Sequence, residues 1–210
     1  ANPARGRESL RRLLPRAVNT PRSVYLISVG KLAPAKGHAI LIEAFRSVAG
    51  EKLNTFLVIV GDGELRESLA EQIAEAGLAD RVALAGFRED VPDLLAASDI
   101  FVFPSLAEGL GSSVIDAMLL GLPVVASDVG GIPELLRPEG ARSDDALGWL
   151  VPPGDPRALA TAMAAAIDLP DHERDKRRAL ARSFAERNFL SDRMVEETLN
   201  VLYEVLSRSR

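Results

Sequence analysis

Residues 105–125, SLAEGLGSSVIDAMLLGLPVV, decide the fold of this chain and point to a site. The apolar run 100–103 before them has the composition of a buried strand. The stretch contains a glycine-rich turn with Glu108 and then a helical pattern that carries Asp116 eight residues later. Glycine lets a backbone approach a ligand closely, and a helix that starts behind such a turn presents free N–H groups that suit a phosphate. The two carboxylates would flank that anion and accept hydrogen bonds from sugar hydroxyls, so the stretch predicts a site for a phosphate joined to a sugar.

Length and composition exclude several classes of function. The chain has 210 residues, of which 47 % are hydrophobic, enough for the core of one large or two small domains. The net charge of −5 gives no general basic field that would favour nucleic acid, and no apolar run reaches the length of a membrane span. The absence of cysteine excludes disulfides and a thiol nucleophile, and two histidines are too few for a histidine-rich metal centre.

Apolar, strand-like runs alternate with helical patterns, which is typical of a parallel sheet covered by helices on both faces. The predicted strands are 24–29, 56–60, 82–85, 100–103, 123–126 and 148–151. The predicted helices are 37–48, 64–76, 91–97, 113–120, 132–136, 156–167, 171–188 and 191–206. Asp155 followed by Pro156 marks the start of the sixth of these helices. We therefore predict an α/β fold, a Rossmann-like doubly wound parallel sheet of about six strands flanked by helices, with C-terminal helices.

Ligands of such sheets bind beyond the C-terminal ends of the strands. The loops that carry unusual residues all follow predicted strands, at 30–31, 61–63, 86–87, 104–111 and 128–131. The first loop region has two cations, Lys31 and Lys36, five residues apart. They can bind phosphate, or they can be solvated, as most exposed lysines are. His38 follows on the first predicted helix, and we expect it at the surface.

At these residues the chain resembles the C-terminal, donor-binding domain of the retaining glycosyltransferases of family 4 (group 1), which have the two-domain GT-B architecture. That family carries a Glu-x7-Glu signature, in which Glu108 matches the first acid and Asp116 stands in place of the second. It also carries Gly-Arg-Leu followed by Lys-Gly, which Gly30, Lys31 and Lys36 match with Lys in place of Arg. The resemblance covers residues 23–156 in order and continues more loosely to the C-terminus.

The resemblance implies a role for each of these positions. Glu108 would lie against the donor sugar, while Lys36 and Lys31 would hold the diphosphate, so these three are the expected catalytic residues. The expected substrate-binding residues are Gly30, Gly86, Phe87, Gly109, Leu110, Gly111, Ser112 and Asp116. No residue is expected to bind a metal, and no cofactor is expected beside the nucleotide diphosphate sugar that serves as donor.

Three of these residues carry a second interpretation. Asp116 would accept hydrogen bonds from the nucleotide ribose, but it also fits a capping box in which Ser113 is the N-cap. Phe87 would border the nucleobase, but a lone aromatic residue can equally belong to the core. Lys31 keeps the charge of the usual Arg without the planar fork that binds phosphate in a bidentate way.

The reaction implied by the resemblance is hexosyl transfer to an acceptor hydroxyl with retained configuration. Negative charge builds on the departing diphosphate, and two lysines plus a helix N-terminus can stabilise that charge without a divalent metal. The GT-B architecture needs two domains, and we expect residues 1–210 to be one of them, with the N-terminal acceptor domain absent from this chain. The isolated chain should therefore turn over little or nothing.

Two other functions stay open at this point. One is a nucleotide-sugar-binding module without catalysis, and the other is a different GT-B sugar-nucleotide enzyme such as an epimerase. The expected partners are a nucleotide sugar and the N-terminal domain, with neither nucleic acid nor a transmembrane segment. We expect a cytoplasmic location because no export signal is visible, with membrane association of a full-length protein left open.

Overall fold

The computed structural model describes residues 1–14, 23–137 and 147–189. Its centre is a six-stranded, entirely parallel sheet with the strand order β3-β2-β1-β4-β5-β6. The strands are β1 (Val24–Val29), β2 (Thr55–Val60), β3 (Val82–Gly86), β4 (Ile100–Phe103), β5 (Val124–Ser127) and β6 (Gly148–Val151). Strands β1 and β4 are neighbours at the centre of the sheet. From β1 the strand order runs to one edge through β2 and β3, and from β4 it runs to the other edge through β5 and β6. The predicted doubly wound, Rossmann-like α/β fold is therefore confirmed.

Helices cover both faces of the sheet and complete the predicted alternation. They are α1 (Pro3–Leu13), α2 (His38–Glu51), α3 (Arg66–Glu75), α4 (Val91–Ala97), α5 (Ser112–Leu119), α6 (Ile132–Leu136), α7 (Pro156–Ile167) and α8 (Asp171–Phe189). A single turn of 3-10 helix, Pro34–Lys36, precedes α2. The predicted helix 191–206 lies outside the described residues.

The core has two layers, one on each face of the sheet. Along β1 the buried side chains alternate, so that Ile27 joins the cluster under α1, α4, α5, α6 and α8, whereas Leu26 joins the cluster under α2, α3 and α7. The central strands are buried on both faces and therefore read as continuous apolar runs instead of an alternating pattern. Within the described residues, no helix has the length and apolarity to cross a lipid bilayer.

The N-terminal helix α1 was not predicted. The side chain of Asn2 caps it by accepting a hydrogen bond from the backbone N–H of Arg5 at 3.2 Å. It packs against α4 through Gly6, where a Cβ would lie 1.9 Å from the carbonyl oxygen of Asp93. Gly6 and Leu10 are the buried residues of the helix, and most of its other residues are polar or charged, so its apolar pattern is short.

The start of α5 differs from the prediction by one residue, and this changes the interpretation of Asp116. The helix begins at Ser112, and its N-cap is Gly111, which has a left-handed backbone with φ of 71°. Ser113 is therefore inside the first turn and Asp116 is in the second turn, so the capping box was wrong. In the described part of the chain no side chain caps α5, in contrast to α7, where Asp155 accepts hydrogen bonds from two backbone N–H groups as predicted.

Candidate functional site

The loops after β1 and β4 meet at the C-terminal edge of the sheet, where the topology reverses. The backbone N–H of Leu106 donates to the carbonyl of Ala35 at 2.8 Å. Gly37 approaches the other loop so closely that a Cβ on it would lie 2.0 Å from the carbonyl oxygen of Pro104. This contact holds the segment with Lys36 against the segment that leads to Glu108.

Lys36 and Glu108 form an ion pair between the Nζ of the lysine and the Oε2 of the carboxylate. Their side chains are 27 % and 16 % exposed, so the pair is half-buried. The other carboxylate oxygen of Glu108 accepts a hydrogen bond from the backbone N–H of Gly109 at 3.2 Å, and the lysine Nζ lies 5.5 Å from the centre of the Phe103 ring. Two of the three predicted catalytic residues are thus in direct contact, although 72 positions separate them in the sequence.

Lys31 is not brought into that contact. It is exposed at the start of the loop after β1, and within the part of the chain that the structure describes it forms no ion pair. Its ammonium group is therefore available to a ligand, but the protein itself does not orient it. The prediction that Lys31 acts together with Lys36 stays a prediction.

The loop after β5 supports Glu108 and Gly109 from the β5 side. The N–H of Gly131 donates to the carbonyl of Gly109 at 2.9 Å, and a Cβ on Gly130 would lie 1.8 Å from the carbonyl oxygen of Glu108. No atom of a described residue outside the immediate chain neighbours lies within 4 Å of the place where a Cβ on Gly109 would be. Packing within the protein therefore does not require glycine at position 109, and the space beside it is open to a ligand in front of α5.

The N-terminus of α5 lies directly after this turn. Ser112 is its first residue and is exposed, and so is Leu110 in the turn before it. Asp116 is exposed in the second turn between the buried residues Ile115 and Ala117. Partial desolvation raises the pKa of the Asp116 carboxyl above its usual value.

The other predicted contacts lie along the ends of β1 and β3. Gly30 follows β1, and a Cβ on it would lie 3.8 Å from the side chains of Lys36 and His38. Gly86 ends β3, and Phe87 after it is 79 % exposed. The core interpretation of Phe87 is therefore wrong, and its ring is accessible beside the sheet edge.

His38 is buried, which corrects the expectation of a surface histidine. Only 2 % of it is exposed, and its buried Nδ1 has no hydrogen-bond partner among residues 1–14, 23–137 and 147–189. Burial, with the positive charge of Lys36 as a second cause, lowers the pKa of His38 to about 4, so its ring is neutral at pH 7. The sequence contained a signal for this burial, because His38, Leu41, Ile42 and Phe45 have the i, i+3, i+4, i+7 spacing of a buried helix face.

Concave surfaces also occur away from this edge of the sheet. One of about 390 Å³ lies between α2 and α7 and is lined by Ser47, Val48, Glu51, Arg157, Ala160, Thr161 and Ala164. Its lining has no residue of the predicted site. The candidate site is instead an open surface at the C-terminal edge of the sheet, formed by loops at the strand ends and by the N-terminus of α5.

The sequence model of the family Glycosyl transferases group 1 matches residues 14–184 of the chain. Among curated relatives, the putative colanic acid biosynthesis glycosyltransferase WcaL of Escherichia coli is 32 % identical over 204 residues, which are 93 % of this chain and 48 % of WcaL. The amylovoran biosynthesis glycosyltransferase AmsK of Erwinia amylovora is 37 % identical over 146 residues, which are 66 % of this chain and 34 % of AmsK.

Solved structures share the fold of this chain. Anabaena HepE in complex with UDP has a TM-score of 0.81 and 28 % identity, and the match covers 95 % of this chain and 53 % of HepE. The C-terminal domain of the group 1 protein LpcC of Francisella tularensis has a TM-score of 0.70 at 22 % identity, covering 85 % of this chain and 93 % of that domain. The chain spans from 34 % to 48 % of the length of the two curated relatives.

Proposed function

Because the chain belongs to the group 1 glycosyltransferases, we propose that it is the donor-binding half of an enzyme that transfers a hexosyl group from a nucleotide diphosphate sugar to an acceptor hydroxyl. We further propose that configuration at the anomeric carbon is retained, as in family 4, and that no divalent metal takes part. A second domain outside this chain would supply the acceptor site. Without that domain, the chain binds the donor and turns over little or nothing.

The contact between Lys36 and Glu108 at the N-terminus of α5 carries this proposal. A half-buried ammonium beside uncapped helix N–H groups attracts a diphosphate. A phosphate that binds Lys36 takes the place of Glu108 as the partner of the ammonium group. The carboxylate is then free to accept hydrogen bonds from hydroxyls of the sugar attached to that phosphate.

The same arrangement suits the chemical step. When the bond between the anomeric carbon and the diphosphate oxygen breaks, the departing diphosphate gains negative charge. Lys36, Lys31 and the N-terminus of α5 provide positive charge where that negative charge develops. Glu108 fixes the sugar so that the anomeric carbon faces the acceptor. The acceptor oxygen forms the new bond on the face that the diphosphate leaves, and the hydroxyl proton passes to the departing diphosphate oxygen.

Uridine diphosphate is the nucleotide that we propose for the donor. Structures of HepE, which is 27–28 % identical to this chain, are complexes with UDP, with UDP and glucose, and with UDP-glucose. The ribose would contact Asp116, and the base would lie toward Gly86 and Phe87. A binding module without catalysis is the second candidate. It is favoured by Asp116 in place of the usual Glu and by Lys31, which forms no ion pair with any described residue.

Isothermal titration of the chain with UDP and UDP-glucose in EDTA tests the donor site. The Lys36→Ala variant should bind both ligands at least about ten-fold more weakly, because a charge-assisted contact to phosphate is lost. Glu108→Ala should weaken UDP-glucose but not UDP, since the carboxylate contacts the sugar and also competes with phosphate for Lys36. Unchanged binding of both ligands to Lys36→Ala would contradict the proposal.

Lys52 and Asp168 offer a matched control for these variants. They form an ion pair at 2.7 Å, and the lysine side chain is 31 % exposed, close to the exposure of Lys36. The pair lies at the ends of α2 and α7, at the other end of α2 from the candidate site. Lys52→Ala and Asp168→Ala should leave both affinities unchanged. Sugar transfer by the full-length protein then separates an active enzyme from a binding module.

A further inference from the structure

Three glycines form a strip without side chains along the C-terminal edge of the sheet, from β1 to β3. The N–H of Gly30 donates to the carbonyl of Val60 at 3.0 Å, and the N–H of Gly61 donates to the carbonyl of Gly86 at 2.9 Å. Gly61 is so close to its neighbour that a Cβ on it would lie 1.9 Å from the carbonyl oxygen of Gly30. We call Gly30, Gly61 and Gly86 the glycine strip.

A cation stands at each end of the glycine strip. Lys36 is beside Gly30, with side-chain carbons 3.8 Å from the place of a Cβ on that glycine. Arg66, the first residue of α3, is beside Gly86, where its Nη1 would lie 3.6 Å from a Cβ. The Nη2 of Arg66 donates to the carbonyl of Leu84 at 3.4 Å, which directs the guanidinium toward the end of β3.

The guanidinium of Arg66 has more N–H donors than its contact with the carbonyl of Leu84 uses. It carries five N–H groups, and the contact with Leu84 uses one of them. Among the described residues, no carboxylate forms an ion pair with it. Its exposure leaves the remaining donors free to meet a ligand that lies on the glycine strip.

The surroundings of Glu108 determine the direction in which a bound nucleotide can extend. On the β5 side, Gly130 and Gly131 are in contact with the backbone of Glu108 and Gly109, and they fill the space there. On the β2 side, the glycine strip is free of side chains. Two strand spacings of about 4.8 Å separate β1 from β3, so the strip is about 10 Å long. A nucleoside whose phosphates bind at Lys36 therefore places its base near Gly86.

We propose that Arg66 contacts the nucleobase and selects a base with a carbonyl oxygen at its edge, such as uracil, over adenine. This inference rests on the proposed donor site. A guanidinium only donates hydrogen bonds. Uracil presents carbonyl oxygens that accept such bonds, whereas adenine presents an amino donor in that place and leaves only its ring nitrogens as acceptors. The selection thus comes from Arg66, which lies at the end of the glycine strip that is farther from the reacting sugar.

The affinities of UDP and ADP for the chain and for Arg66→Ala test this inference. The unmodified chain should prefer UDP, and Arg66→Ala should lower the ratio of the two affinities about ten-fold, mainly by weakening UDP. Arg66→Lys should recover only part of the preference, because an ammonium lacks the planar fork. Arg46→Ala, which removes an exposed arginine from α2, is the control and should leave the ratio unchanged.

The outcomes separate this inference from the proposed function. An unchanged ratio of affinities in Arg66→Ala overturns the inference, even when UDP and ADP both bind more weakly, since equal weakening indicates a contact with phosphate or a structural role. Thermal unfolding of Arg66→Ala without nucleotide measures that structural role. If the unmodified chain binds neither UDP nor ADP, the proposed function fails and the inference falls with it.

Discussion

Acidification from pH 7 to pH 5 should destabilise the folded chain through His38. The residue is 2 % exposed, and no described residue forms a hydrogen bond with its Nδ1. Burial, together with the nearby charge of Lys36, lowers the pKa of His38 to about 4. His38 is also the first residue of α2, where the partial positive charge of the helix N-terminus opposes protonation. The folded chain therefore keeps His38 neutral at a pH where the unfolded chain does not.

The size of the effect follows from the two pKa values. In the unfolded chain the histidine has a pKa near 6.5, so between about pH 6.5 and pH 4 the unfolded chain binds a proton that the folded chain does not. Stability is then fully present above pH 6.5 and is lost as the pH falls through this window. The loss in the free energy of unfolding is about 2 kcal/mol between pH 7 and pH 5, and about 3 kcal/mol at pH 4.

Urea unfolding at pH 7, 6 and 5 measures this loss. The test compares the unmodified chain with His38→Phe, which fills the same space without a titrating group. His38→Phe should lack the drop of about 2 kcal/mol that the unmodified chain shows. Carboxylates titrate in both chains, so their contribution cancels in the comparison. Asp90, whose pKa is lowered to about 2, stays ionised throughout.

His172→Gln is the matched control, because His172 is the only other histidine of the sequence and its side chain is 79 % exposed. This variant should keep the full dependence on pH. If His38→Phe loses as much stability between pH 7 and pH 5 as the unmodified chain, a neutral, buried His38 is not the cause. The reasoning would then be refuted.

Three further predictions follow from other contacts. Gly109→Ala should leave the melting temperature nearly unchanged and weaken UDP, because a Cβ meets no protein atom there but enters the ligand space; Gly50→Ala, equally open, is the control and should leave UDP affinity unchanged. Asp155→Ala should lower the free energy of unfolding in urea by about 1 kcal/mol, since two N-cap hydrogen bonds are lost; no change would show that water replaces the cap. Asp90→Asn should cost about 1–2 kcal/mol at pH 7, because the carboxylate accepts two hydrogen bonds from Arg88. That cost should shrink as the pH falls below about 4, since the pKa of Asp90 is lowered to about 2 by Arg88; a cost that persists at pH 2 would contradict this.

The strands could be predicted closely because of how they are buried. Every residue of β2 is inside, so its sequence is an unbroken apolar run between polar segments. Helix α1 could not be predicted in this way. Helix α1 buries only Gly6 and Leu10, and the close approach of Gly6 to α4 is a backbone contact that an apolar pattern does not reveal.

The general position of the site was predictable, but its contacts were not. In a parallel sheet the loops after successive strands share one edge, which brings Gly30, Lys36 and Glu108 into the same region. Helix α5 begins after Gly111, which has a left-handed conformation. Ser113 has the residue type of an N-cap, and the sequence alone therefore predicts the wrong cap. The position of Arg66 beside Gly86 depends on the direction in which α3 leaves the sheet. The spacing of residues in the sequence does not determine that direction.

Titration of the isotopically labelled chain with UDP, followed by the backbone amide resonances, tests the donor site most directly. The account predicts that the largest shifts occur at Gly30, Lys36, Gly109 and Ser112, with smaller ones at Gly86. These residues belong to the loops after β1 and β4, to the end of β3 and to the first turn of α5. Shifts confined to another surface, such as the concave surface between α2 and α7, would contradict a donor site at the C-terminal edge of the sheet.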